Sequence, residues 1–210
     1  MTEFQLRYGA EDVDLQQREQ SFRGYFSLET LTLRHRLFEG GWSAPICREL
    51  FQRGDAVGVL PWDLETDELV LIEQFRVGAL RDVHSPWMLE LAAGIVEVGE
   101  SDSDVVHREA EEEAGCCLGR LKSIATFYPS AGACSEQIRL FVGEVTKSQP
   151  GTVQGLKSEH EDILVHQIPR DQVMQMLDRN EINNGHTLIA LQWLARHADR
   201  LRAQWRSTGG

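Results

Sequence analysis

Glu109, Glu112 and Glu113 fall within one short stretch of the chain. On a helix, positions three and four apart share a face, with Cβ atoms about 5–6 Å apart. Glu109 and Glu113, with Glu112 beside them, would then form an anionic ridge. Like charges at that spacing destabilise a helix by about a few tenths of a kcal/mol per pair. A divalent cation between them reverses the sign. Hard oxygen ligands suit Mg²⁺, which typically takes one or two carboxylates plus substrate phosphates. Arg108 is the formal cation of the stretch Gly94 to Cys116. It can orient a neighbouring carboxylate through a forked hydrogen bond. The bland alternative is a solvated acidic helix face.

The charge balance singles out the same residues. The chain has 210 residues, with 21 Lys+Arg against 33 Asp+Glu, a formal net charge of −12. Residues 94–116 hold eight acids and one Arg, and residues 159–162 hold three acids and no Lys or Arg. These two segments carry −10 of the −12. An acidic balance argues against nucleic-acid binding, which needs clustered Lys and Arg, and against a polybasic membrane surface. No apolar run is long enough to span a membrane, and the polar N-terminus lacks the apolar stretch of a signal peptide. Cys47, Cys116, Cys117 and Cys134 show no CxxC spacing and form no disulfide framework. They read as small buried thiols in a reducing cytoplasm.

The elements that must position the glutamates follow from patterning. Asp102 to Ala114 is expected as a helix, with Ser101 as N-cap, acids in its first turn and Gly115 to end it. Before it come β-like runs at Ala56 to Leu60 and Glu68 to Phe75, and an apolar segment from Trp87 to Ala93. After it come runs at Leu121 to Tyr128, Ile138 to Val145 and Ile163 to Ile168. Gln149 to Asp162 reads as a polar connection. Asp171 to Asp178 and Thr187 to Leu201 are expected as helices, the second with one apolar stripe. Mixed in this order, they suggest an α/β layered domain with a mixed sheet over residues 54–210. Residues 1–53 differ. Phe22 to Phe38, then Gly40-Gly41, read as long antiparallel strands turning at the glycine pair. Such a segment is too small to fold alone and needs the rest of the chain or a second subunit.

Gly94, Glu100, Arg108, Glu109, Glu112, Glu113 and Gly115 follow the interval pattern G-x5-E-x7-R-E-U-x-E-E-x-G-U, with U apolar. Ala110 fills the first U, and Cys116 fills the last, where a branched aliphatic is usual. This resembles the Nudix box. The resemblance implies an α/β/α sandwich with a mixed sheet, here preceded by the N-terminal antiparallel β segment. It implies hydrolysis of a nucleoside diphosphate linked to another moiety, with Mg²⁺ or Mn²⁺. Carried onto this chain, Glu109 and Glu113 are the principal metal ligands, Glu112 supports them, and the Ala93 carbonyl adds a ligand. Glu100 and Arg108 brace the loop and helix.

Outside the box the chain resembles the bacterial ADP-ribose pyrophosphatase branch of that family. The residues carrying this are FRGYFSLE from Phe22, RHRLFEGG from Arg34, RELFQRGDAV from Arg48, LVLIEQFR from Leu69, GLKSEHEDI from Gly155 and IALQWL from Ile189. The branch implies cleavage of ADP-ribose to AMP and ribose 5-phosphate by a homodimer that exchanges its N-terminal strands. By resemblance Tyr25 and Arg48 contact the adenosine half, partly from the partner subunit, with core packing the bland role of Tyr25. Arg76 holds a phosphate or the terminal ribose, against the bland role of a surface arginine. Glu159 is the base that takes the proton of the attacking water, from a loop that closes on the site, with Glu161 as substitute. His160 beside it reads as solvent-facing. One departure concerns a proline-containing turn downstream of the box: Ala131 replaces the proline, with Pro129 two residues earlier and Gly132 retained. This leaves ADP-glucose, GDP-mannose or another nucleoside diphosphate sugar as an alternative substrate, and a non-catalytic ligand-binding module as a further one. Glu136, after that turn, would contact the substrate or brace the metal site.

Overall fold

The computed structural model describes residues 3–207. The chain forms two compact units, Met1–Gly54 with Tyr128–Glu136, and Asp55–Phe127 with Gln137–Gly210. The loop Tyr128–Glu136 therefore packs with the N-terminal strands, although a boundary at residue 53 would leave it in the second unit.

The first unit is an antiparallel sheet of β1 (Val13–Arg23), β2 (Ser27–His35) and β3 (Ile46–Gln52). The chain does not run straight through from Phe22. It reverses at Gly24, Tyr25 and Phe26, where the Gly24 N–H donates to the Phe26 carbonyl at 2.8 Å. The turn expected at Gly40-Gly41 is present, with both residues at positive φ. β1 is exposed almost throughout. Leu31 is the one buried apolar side chain among the described residues of this unit.

The second unit is built on β4 (Ala56–Asp63) and β5 (Glu68–Phe75). β4 pairs antiparallel with β5 and β7 (Ala92–Ile95) and parallel with β9 (Ile138–Lys147), so the sheet is mixed. β8 (Cys117–Phe127) continues it beyond β9, and β11 (Ile163–Pro169) with β10 (Val153–Gln154) beyond β5. The segment expected as one run from Trp87 to Ala93 is two strands. β6 (Trp87–Glu90) pairs with β5, and the chain then shifts at Leu91 so that β7 pairs with β4.

Alternation along β4 and β5 separates two cores. Val57, Val59, Val70 and Ile72 face α1 (Asp102–Glu112), meeting Val105, Val106 and Ala110. Leu60, Trp62, Leu69 and Leu71 face α2 (Arg170–Asp178) and α3 (Gly185–Ser207), meeting Val173, Leu191, Leu194 and Leu201. A sheet covered on both faces explains the near-continuous apolar runs of these strands. Each such side chain, fully buried, contributes about 1.5–3 kcal/mol. The result is the expected α/β/α sandwich.

α1 begins and ends as its sequence indicates. Ser101 Oγ accepts the Asp104 N–H at 3.2 Å. Gly115 takes φ +57°, and the Cys116 N–H reaches back to the Ala110 carbonyl at 2.9 Å, a glycine-terminated helix end. Cys116 is buried among the α1-facing residues, and burial pushes its thiol up to about 12. The expectation of buried thiols holds for Cys116 alone: Cys47 and Cys117 are exposed and Cys134 is intermediate.

Candidate active site

The loop before α1 and the α1 helix are locked together by the glutamates. Glu109 lies across the Cα of Gly94: a Cβ there would fall 1.8 Å from Glu109 Oε1. Only glycine permits that approach. One turn on, Glu113 Oε2 accepts the Ala93 N–H at 2.8 Å. β7 thus threads between two carboxylates of one helix face, and Glu109 and Glu113 are 8% and 4% exposed. They are turned into the protein rather than along a solvated ridge. Glu112 is more open and meets Arg108 Nη1 at 3.3 Å. The same Nη1 donates to Glu109 Oε1 at 2.6 Å, while Arg108 Nε lies 3.5 Å from Glu100 Oε1. Glu100 Oε2 in turn accepts the Glu97 N–H at 3.0 Å, which closes the loop.

Burial sets the electrostatics. It pushes the Glu113 carboxyl up to about 8, against the pull of the Ala93 N–H and of Arg76, and Glu109 and Glu161 add to the rise. Glu109 is raised for the same first reason, with Arg108 opposing it. Taking a carboxylate out of water is costly unless positive charge accompanies it. The donors are hard oxygens, and their charge is only partly met by Arg108 and Arg76. They therefore fit a divalent cation such as Mg²⁺. Among the described residues, no group of three or more His, Cys, Asp or Glu stands ready-assembled around one point. Arg108 Nη1 engages both Glu109 and Glu112, and the Ala93 N–H engages Glu113, so a cation entering here would compete with the guanidinium for the first two carboxylates.

The connection from 149 to 162 is more ordered than a polar linker. It carries β10 and a 3-10 turn, Lys157–Glu159, and the Gly155 N–H donates to the Glu112 carbonyl at 3.0 Å. The loop is thereby hooked to the end of α1. Glu161 accepts the Leu156 N–H at 2.9 Å, and its charge reaches both Glu109 and Glu113. Glu159 sits exposed on the 3-10 turn, and His160 is also exposed, at φ +58°. In this conformation Glu161, not Glu159, is the loop carboxylate that feels the helix pair.

Arg76 is not an ordinary surface arginine. Its Nη2 lies 2.7 Å from the buried Glu90, and its charge is felt at Glu113. Glu90 itself was not singled out from the sequence; the available signal was a lone acid within the apolar run Trp87 to Ala93.

In the N-terminal unit Tyr25 stands at the β1–β2 turn with 88% exposure, so it is not core packing. Its ring meets Phe26 edge-on at 4.7 Å between centroids, and Phe26 meets Phe51 at 5.3 Å. Arg48 is exposed on β3 and folds back on the Cys47 carbonyl at 2.8 Å. Glu136 is 5% exposed and lies 3.3 Å from Arg53 Nε. The turn before it forms without the proline: the Ala133 and Cys134 N–H groups both donate to the Ser130 carbonyl, at 3.2 and 3.0 Å.

A family profile for the NUDIX domain matches residues 52–191. An ADP-ribose pyrophosphatase of Escherichia coli K12 is 44% identical over 200 residues, 95% of this chain and 96% of that one. A GDP-mannose pyrophosphatase of Enterobacter is 33% identical over 148 residues, 70% of this chain and 76% of that one. A crystal structure described as an ADP compounds hydrolase superposes with a TM-score of 0.67 at 21% identity, covering 90% of this chain and 98% of that chain. That likeness speaks to the fold alone.

Proposed function

The chain belongs to the NUDIX family, and from that membership we propose that it hydrolyses the pyrophosphate bond of ADP-ribose, giving AMP and ribose 5-phosphate. The observation that carries this is the 44% identity to an ADP-ribose pyrophosphatase across nearly the whole of both chains. The likeness to a GDP-mannose pyrophosphatase is weaker and covers less of the chain.

Glu109 and Glu113 would hold Mg²⁺, or Mn²⁺, with Glu112 alongside and the Ala93 carbonyl as a further oxygen. A divalent cation there would supply positive charge to the pyrophosphate oxygens and acidify a water near phosphorus. Arg108, tied to Glu100, Glu109 and Glu112, braces the helix against the loop. Arg76 binds a phosphate or the terminal ribose. Tyr25 stacks on adenine, Arg48 contacts the adenosine half, and Glu136 contacts substrate or braces the site. Glu159 takes the proton of the attacking water as its loop closes, with Glu161 as the alternative. The exposure of β1 supports a homodimer in which the N-terminal sheet finds its cover on a second subunit. No helix of the described residues is long and apolar enough to cross a membrane. The exposed free thiols Cys47 and Cys117 support a reducing, cytoplasmic setting.

A panel of ADP-ribose, ADP-glucose and GDP-mannose with Mg²⁺ tests the substrate. The expected result is the highest kcat/KM on ADP-ribose. Preference for GDP-mannose would replace the substrate and keep the chemistry, and no turnover on any would leave a binding module.

A further inference from the structure

Glu90 ends β6 with 3% exposure. Its Oε2 accepts Arg76 Nε at 2.8 Å and lies 2.7 Å from Arg76 Nη2, with Gln74 Nε2 at 3.5 Å. Its Oε1 accepts Asn184 Nδ2 at 2.7 Å. Asn184 Oδ1 accepts the Thr187 N–H at 3.1 Å and the Thr187 hydroxyl at 3.0 Å, so Asn184 caps α3. The Thr187 hydroxyl oxygen, fully buried, accepts the Leu91 N–H at 3.0 Å. The relay runs from Arg76 through Glu90, Asn184 and Thr187 and returns to the residue after Glu90. Leu91 leads directly into β7, which carries Ala93 and Gly94.

The chemistry of this relay says what Glu90 is for. A buried carboxylate costs several kcal/mol unless it is paired and its oxygens are satisfied. Capping α3 requires of position 90 only a neutral acceptor for Asn184 Nδ2. The charge is needed on the other side, where Arg76 stands with 43% of its side chain exposed. Two guanidinium nitrogens are committed to Glu90, and among the described residues Arg76 Nη1 has no hydrogen-bond partner. A guanidinium held by one edge presents its remaining N–H groups in a fixed direction, with little rotamer entropy left to lose on binding.

We propose that Glu90 is a positioning residue for substrate: it holds Arg76 so that Nη1 faces an anionic or hydroxyl oxygen of the nucleoside diphosphate sugar, and through Asn184 and Thr187 it ties that arginine to the strand carrying Ala93. The proposal rests on the reading of Arg76 as a substrate contact. Lost positioning falls on binding rather than on the chemical step, so KM is expected to move while kcat holds.

The test is a cycle of Glu90→Gln, Arg76→Ala and the double variant, assayed on ADP-ribose with Mg²⁺ and by calorimetric binding of a methylene-bridged ADP-ribose. Glu90→Gln is expected to raise KM and the analogue Kd about tenfold, the loss typical of one charge-assisted contact, with kcat within about threefold. In the Arg76→Ala background the same change should alter KM less than about twofold, because the group it positions is gone. Asn184→Ala should shift KM the same way by a smaller factor, again only when Arg76 is present, and carries the test if Glu90→Gln does not fold. An unchanged KM in Glu90→Gln beside a tenfold rise in Arg76→Ala overturns the positioning role and leaves Arg76 as a substrate contact. Losses that add in the double variant also overturn it, making Glu90 a folding residue. An unchanged KM in Arg76→Ala overturns the reading of Arg76, and this proposal with it.

Discussion

The two faces of the second unit's sheet each hold a carboxylate in a charged cluster, and they treat it in opposite ways. On the α2 and α3 side, Asp67 accepts Trp62 Nε1 at 2.9 Å and Arg170 at 2.9 and 3.0 Å, and pairs with Arg202. The Arg170 hydrogen bond, with Trp62 and Arg202 behind it, holds Asp67 down at about 2. On the α1 side, Glu113 is pushed up to about 8, because burial exceeds what the Ala93 N–H and Arg76 return. Asp67 is finished: its partners are in place and its task is to fasten α2 and α3 to the β4–β5 turn. Glu113 and Glu109 are in deficit of positive charge. A deficit kept beside a glycine that only Glu109's side chain requires is the mark of a site shaped for something that arrives from outside.

The sharpest way to break the contrast is to neutralise one member on each face. Glu113→Gln should lower kcat about 1000-fold, the upper range for losing one electrostatic stabiliser, yet leave thermal stability without Mg²⁺ unreduced at neutral pH, since below about 8 the buried carboxyl is already largely uncharged and glutamine keeps its shape and an acceptor for the Ala93 N–H. Steady-state rates and a melting curve check both halves. A Glu113→Gln protein that keeps its rate but melts early would make the two faces alike.

Next comes the packing that builds the site. Gly94→Ala sets a methyl on Glu109 Oε1, 1.8 Å away, so the carboxylate must move. A displacement of about 1 Å costs on the order of 100-fold in rate, and a rate within threefold would show that the approach is dispensable. Substituting the proposed general base sharpens the comparison within the α1 side. Glu159→Gln should lower kcat by at least about 100-fold. If only a few-fold is lost there and Glu161→Gln loses the larger factor, the role belongs to Glu161.

The smallest effect lies on the finished face. Asp67→Asn should leave turnover within about twofold and cost about 1 kcal/mol, a value kept low because 35% of the side chain stays in solvent. That shifts Tm by about 2–4 °C for a chain of this size. Its pH dependence has a definite sign. Asp67 has a lower pKa folded, about 2, than its ordinary 3.8. Its contribution is therefore full above pH 4 and lost as pH falls through about 2. Wild type and Asp67→Asn should converge in stability across that window when followed by circular dichroism.

The parts of this design that local signals encode were legible beforehand. Ser101 and Gly115 bound α1 because capping is decided within a few residues, and the interval from Gly94 to Gly115 identified the glutamates. The β5 run from Glu68 to Phe75 coincides with the strand. β1 was missed because an edge strand exposed on both faces, VDLQQREQSFR, carries no alternation to read. The shift at Leu91 was hidden because the apolar residues on either side of Glu90 read as one segment. Glu90 and Asp67 owe their roles to partners 94 and 135 residues away, Asn184 and Arg202, which no local pattern discloses. The loop glutamates could be named but not ranked, since the hook from Glu161 to Leu156 depends on how the loop folds back on α1.

One measurement bears on the central claim most directly: the products formed from ADP-ribose, followed by ³¹P NMR with Mg²⁺, with chelator, and with Glu109→Gln. Equal AMP and ribose 5-phosphate, formed only by the wild-type protein with Mg²⁺, is the predicted result. AMP formed at an undiminished rate by Glu109→Gln, or in chelator, would contradict it.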